Sequence, residues 1–109
     1  MKLISAIATA AIAGLVGNAI AQTTPATPAK KVEVQWLGQA TIKITSPGGK
    51  VIVIDPWVTS NPKTPAEFKT VESLGKVDAI LVTHAHFDHW ADAPALAEKT
   101  GAKIYGPAG

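Results

Sequence analysis

The chain has no cysteine, no arginine, a single methionine and a single tyrosine. Without cysteine there is no disulfide framework, no thiolate nucleophile and no thiolate metal site, so any metal must be held by nitrogen and oxygen. A lipid-modified cysteine behind an export segment is excluded as well. Without arginine, and with ten lysines dispersed along the sequence instead of forming a run, there is no footprint for nucleic acid. A formal charge of +2 is too small to argue for an acidic partner or a membrane surface. Apolar residues make up 47% of the chain, which excludes extended disorder outside one linker.

The first 21 residues read as an address. Met1-Lys2 is a short positive start, Leu3 to Val16 is uncharged and rich in Ala and Ile, and Ala19-Ile20-Ala21 places small residues before Gln22. A secretory signal peptide over 1–21 with cleavage after Ala21 is expected, hence a periplasmic or secreted protein. The competing reading, an uncleaved anchor, is weakened by Ser5, Gly14, Gly17 and Asn18. Residues 22–30 carry two prolines, three threonines and no large apolar side chain, so a flexible leader follows. The folded part is expected over 31–109, with no stable membrane association once the signal is removed.

Period-two alternation at Val32, Val34 and Trp36 predicts a strand with one apolar face. Thr41 to Thr45 predicts a second, Ser46-Pro47-Gly48-Gly49 a turn, and Val51 to Ile54 a third, so an antiparallel meander should end at Asp55-Pro56. Thr64 is placed to cap a short helix, with Pro65 at its first position and Glu67 completing a capping box. Val77 to Thr83 predicts a buried strand. Asp92 is placed to cap a helix reaching Lys99 and stopped by Gly101, and Ala102 to Tyr105 starts another strand. Trp36 is expected in or near the core, while Trp57 and Trp90 flank loops that could line a cleft.

The chemistry is concentrated where the buried strand ends. All three histidines of the chain, His84, His86 and His89, fall within six residues together with Asp88. On an extended segment residues two apart face the same side, so His84 and His86 can grip one cation, Asp88 continues that spacing, and His89 turns elsewhere as a helix begins. A lone histidine is most often a satisfied structural residue; four nitrogen and oxygen donors so close together point to a divalent metal, zinc before manganese or iron. Two such ions could share and activate a water for hydrolysis, with Asp88 orienting that nucleophile or receiving its proton.

The pattern His84-x-His86-x-Asp88-His89 resembles the metal-binding signature of the metallo-β-lactamase superfamily. The flanks Trp36-Leu37-Gly38-Gln39-Ala40, Val53-Ile54-Asp55-Pro56-Trp57 and Val77 to His84 are similar to the branch containing ascorbate-6-phosphate lactonase. The resemblance implies an α/β fold, the N-terminal half of an αββα sandwich. It implies two divalent metal ions as cofactors, with His84 and His86 on the first and Asp88 and His89 on the second. Asp55 would brace the ligand loop through hydrogen bonds. It also implies metal-bound hydroxide acting on a lactone, ester or phosphoester in a small-molecule substrate. One departure stands out, because many members of that branch carry His where Gln39 stands.

Two other readings remain at this stage, an exported metallo-β-lactamase and a degenerate, non-catalytic metal-binding module. The superfamily draws another His for each metal and a bridging Asp from later loops, whereas no histidine follows His89 here. The expectation is a truncated domain whose exposed sheet face leaves it poorly stable and inactive by itself. Substrate and oligomeric state are not readable.

Overall fold

The computed structural model describes residues 29–108. The proposed signal peptide and nearly all of the leader lie outside the described residues. Five strands form one mixed sheet in chain order: β1 (Glu33–Trp36), β2 (Ile42–Thr45), β3 (Val51–Ile54), β4 (Ala79–Leu81) and β5 (Lys103–Tyr105). The first three pair antiparallel, and β3, β4 and β5 run parallel. Two short helices, α1 (Phe87–Trp90) and α2 (Ala93–Thr100), connect β4 to β5. Among the described residues no helix is long and apolar enough to cross a membrane.

The meander forms as expected because its turns are chemically suited to it. Between β2 and β3, Gly49 takes a φ of 82° and its N–H bonds the Ser46 carbonyl at 2.9 Å, while the Ser46 hydroxyl accepts from Lys50 N–H at 3.0 Å. Between β1 and β2, Thr41 N–H closes a turn onto the Gly38 carbonyl at 2.9 Å, and Gly38 takes a φ of 102°. A Cβ on Gly38 would lie 2.9 Å from backbone atoms of Lys63 and Thr64. Position 38 therefore tolerates glycine alone, and the loop over 61–64 is packed hard against it.

The core lies on one face of the sheet. Val51, Val53 and Ile80 meet Leu37, Val58, Leu74, Val77, Ala93, Leu96 and Ala102 there. Val53, Ile80 and Leu96 are fully enclosed, each such burial stabilising by about 1.5–3 kcal/mol. Gly101 ends α2 in the left-handed conformation at φ 73°, as its sequence position indicates.

Several local expectations are corrected by tertiary contacts. The apolar edge of β1 forms but is not buried: Val34 is 64% and Trp36 61% exposed. Trp36 is thus a surface residue, its indole N–H bonding the Gln39 carbonyl at 2.9 Å. Thr64 does not cap a helix; its hydroxyl donates to the Leu37 carbonyl at 2.7 Å, and only a 3₁₀ turn follows over Ala66–Phe68. Asp92 precedes α2 but makes no capping bond. Its buried carboxylate instead accepts from Val58 N–H, Thr59 N–H and the Thr59 hydroxyl at 2.5–2.9 Å, fastening the start of α2 to the loop after β3.

Candidate metal centre

The site is assembled at the ends of β3 and β4. Asp55, directly after β3, is 3% exposed and has a φ of 47°; its N–H donates to the Leu81 carbonyl at 2.8 Å, keeping the strand ends together. The Thr41 hydroxyl donates to the Asp55 carbonyl at 2.7 Å and accepts from Trp57 N–H at 3.1 Å, fixing the departing chain. A non-glycine residue in this conformation is strained, and it persists because the surrounding bonds determine it.

That backbone aims the Asp55 carboxylate at the ligand segment. It accepts from Thr83 N–H at 2.7 Å, from the Thr83 hydroxyl at 2.8 Å and from His89 Nδ1 at 2.8 Å. Burial alone would raise its pKa. The bonds from His89 and from the backbone and hydroxyl of Thr83 outweigh that, and the carboxyl is held below its ordinary value. Asp55 is therefore a charged acceptor at neutral pH.

Two tautomers follow from this. An ionised carboxylate can only accept, so His89 Nδ1 carries the hydrogen and a neutral His89 presents a lone pair at Nε2. The Thr83 hydroxyl gives its one proton to Asp55, so toward His84 Nδ1, 3.0 Å away, it must accept. His84 likewise has its lone pair at Nε2. The three rings pack together, with centroids 4.5 Å apart for His84 and His86 and 3.9 Å for His84 and His89.

His84 Nε2 faces His86 Nδ1 at 2.9 Å, and His89 Nε2 faces Asp88 Oδ2 at 3.6 Å. Two ligands sharing a tetrahedral ion at about 2.0–2.1 Å stand about 3.3–3.4 Å apart; the second separation lies within a few tenths of an ångström of that spacing, while the first is a hydrogen bond about half an ångström shorter, whose rings would part to hold an ion. In the second pair a protonated His89 would face Asp88 as an ion pair, and a neutral His89 would leave two acceptors that a divalent cation would bridge. Among the described residues no three or more His, Asp or Glu side chains converge as a closed metal shell. The donors come as two open pairs whose chemistry suits divalent ions.

The sequence placed these residues together correctly but not their backbone. Asp88 does not continue an extended run: α1 begins at Phe87, with His86 as its extended N-cap, so Asp88 and His89 occupy the first helical turn. The turn brings His89 back over Asp55, which a fully extended segment would not do. Two contributors were not anticipated in their roles. Thr83 relays the Asp55 carboxylate to His84, and the Gln39 side-chain amide donates to Asp88 Oδ2 at 3.1 Å. A hydroxyl immediately before the first histidine was the available signal for Thr83; for Gln39 the departure from His marked the position but not its partner.

Aromatic groups surround the cluster. Trp57 packs edge-on against Phe87 with centroids 5.8 Å apart and donates its indole N–H to the Ser60 hydroxyl at 2.7 Å. On the other side an apolar cavity of about 250 Å³ is lined by His84, Trp90, Val82, Pro94, Ile104 and Pro107, among others.

Residues 35–109 match the metallo-beta-lactamase superfamily. A UPF0173 metal-dependent hydrolase of Cupriavidus necator is 53% identical over all of this chain and 41% of its own length. One from Myxococcus xanthus is 52% identical over 96% of this chain and 40% of its length. Among solved structures, a metallo hydrolase of the archaeon Ignicoccus hospitalis superposes with a TM-score of 0.59 at 36% identity, covering 67% of this chain and 30% of that one. The chain thus spans about two fifths of the length of these two curated relatives. The mixed sheet, the helices joining its parallel strands and this sequence match carry one conclusion: the chain belongs to the metallo-beta-lactamase superfamily.

Proposed function

We propose that this chain contributes the first part of a dinuclear metal centre that hydrolyses a lactone, ester or phosphoester. The observation that carries the reading is the meeting of His89 Nε2 and Asp88 Oδ2 at 3.6 Å, with Asp55 accepting from His89 Nδ1, beside the facing nitrogens of His84 and His86. His84 and His86 would hold one divalent ion, and Asp88 and His89 the other. Nitrogen and oxygen donors favour zinc, with manganese or iron as alternatives. Bound there, such ions would supply Lewis acidity, lowering the pKa of a water and polarising the scissile bond.

The chain's own groups have separate tasks. Asp55 fixes the tautomer of His89 directly and that of His84 through Thr83, keeping both Nε2 lone pairs directed at the site. Asp88 orients the attacking water or receives its proton. The cavity beside His84 and Trp90 takes an apolar part of a small substrate and keeps water from it. Export is part of the same proposal and rests on residues 1–21; a mature N-terminus at Gln22 in a periplasmic fraction is the expected result.

A screen of the full-length protein against lactones, phosphodiesters, carboxylic esters and a cephalosporin, with and without a chelator, tests the reading. Chelator-sensitive hydrolysis of one of the first three, abolished by His84→Ala, is expected. Cephalosporin turnover alone would replace it with a β-lactamase, and no turnover with metal bound would leave a binding module.

A further inference from the structure

Among the described residues, two that are not glycine adopt a φ in the left-handed region, Gln39 at 50° and Asp55 at 47°. Both send their side chains into the same short segment. Asp55 holds Thr83 and His89, and Gln39 donates its side-chain amide to Asp88 Oδ2 at 3.1 Å. The Gln39 bond joins positions forty-nine residues apart, from the β1–β2 turn to α1.

We infer that Gln39 is a positioning residue for Asp88, kept in a strained turn for the sake of that bond; the inference rests on the metal-centre reading above. Gln39 is the first central residue of the turn closed by Thr41 N–H on the Gly38 carbonyl, a place where a positive φ favours glycine. A long side chain there has a conformational cost, and its own bond is what offsets it. The turn is also a firm base. The Trp36 indole N–H holds the Gln39 carbonyl at 2.9 Å, and Gly38 sits against the backbone of Lys63 and Thr64 with no room for a Cβ.

The chemistry of the donor matters as much as its placement. A neutral amide can fix the rotation of the Asp88 carboxylate while leaving its full negative charge for a cation. A lysine ammonium in the same place would compete for that charge. The same oxygen, Oδ2, faces His89 Nε2 at 3.6 Å, so Gln39 acts on the Asp88–His89 pair and makes no hydrogen bond to His84 or His86.

The test uses the full-length protein, its Gln39→Gly variant and its Gln39→Met variant, which keeps the length and the neutrality but has no hydrogen to donate to Asp88. Cobalt(II) titration followed by visible absorption reads each equivalent, and thermal unfolding of the metal-free proteins reads stability. For Gln39→Gly the metal-free midpoint should stay equal or rise, while one of two equivalents binds about 10–100-fold more weakly and the other is unchanged. Gln39→Met should weaken the same equivalent. Unchanged binding of both equivalents in both variants overturns the inference, as does equal weakening of both together with a lower midpoint. If the parent protein binds no cobalt, the metal-centre reading itself fails and this inference with it, a result distinct from either.

Discussion

The two faces of the sheet are built from similar residues and have different surroundings. On one, Val53 and Ile80 are fully enclosed beneath Leu96. On the other, paired positions bring Trp36, Ile42, Ile54, Leu81 and Tyr105 into one row across all five strands. Of that row Trp36 is 61% and Tyr105 52% exposed, and the others are half-buried. A sheet apolar on both faces suits a fold in which layers cover both, as in α/β sandwiches. The comparison separates the face this chain covers by itself from the face it leaves open.

The largest effect should come from the covered face. Leu96→Ala should destabilise this chain by about 2–5 kcal/mol in urea unfolding. Val34→Ala, at an exposed position in the row beside that of Trp36, should stay within about 0.5 kcal/mol. Equal losses at the two positions would break the contrast between the faces.

A second comparison sets the polar clamp around Asp55 against the open ligand pairs. The clamp is complete, with every Asp55 contact paired, and the pairs are not. Asp55→Asn keeps the shape but replaces an acceptor oxygen with a donor amide, so His89 or Thr83 loses its partner. Metal affinity, read by equilibrium dialysis, should fall about 10–100-fold although no proposed ligand has changed. An unchanged affinity would show that the tautomers are set elsewhere.

Much of this was legible locally, and what was not has a common cause. β2, β3 and their turn follow from alternation and from Ser46 and Gly49, all short-range properties. The ligand cluster was legible because its members are sequence neighbours. The burial of β1 was not, since alternation reveals an apolar face without revealing whether anything covers it. Thr64 and Asp92 were misread for a related reason. Each has a residue type that caps helices, but Thr64 bonds Leu37 and Asp92 bonds Val58 and Thr59, twenty-seven and up to thirty-four positions away. A carboxylate or hydroxyl carries no local sign of which distant backbone it will meet. Gln39 and Asp88 are the extreme case.

The smallest expected effect lies far from the site, at Asp78. The Val51 N–H is the main influence lowering its pKa, assisted by Lys50 and Lys76 against a smaller opposing effect of burial. A carboxyl with a folded value below its ordinary 3.8 adds stability above that pH and loses it as the pH falls through the lowered value. Asp78→Asn should therefore reduce the thermal midpoint slightly at neutral pH and flatten its fall in acid. A midpoint difference independent of pH would show that the carboxylate charge is not what matters.

Metal content bears most directly on the central claim that His84, His86, Asp88 and His89 form two ion sites tuned by Asp55. Mass spectrometry of the purified full-length protein, beside its His84→Ala and Asp88→Ala variants, should find two divalent equivalents in the parent and fewer in each variant. Absence of bound metal from the parent, or two equivalents retained in both variants, would contradict the account.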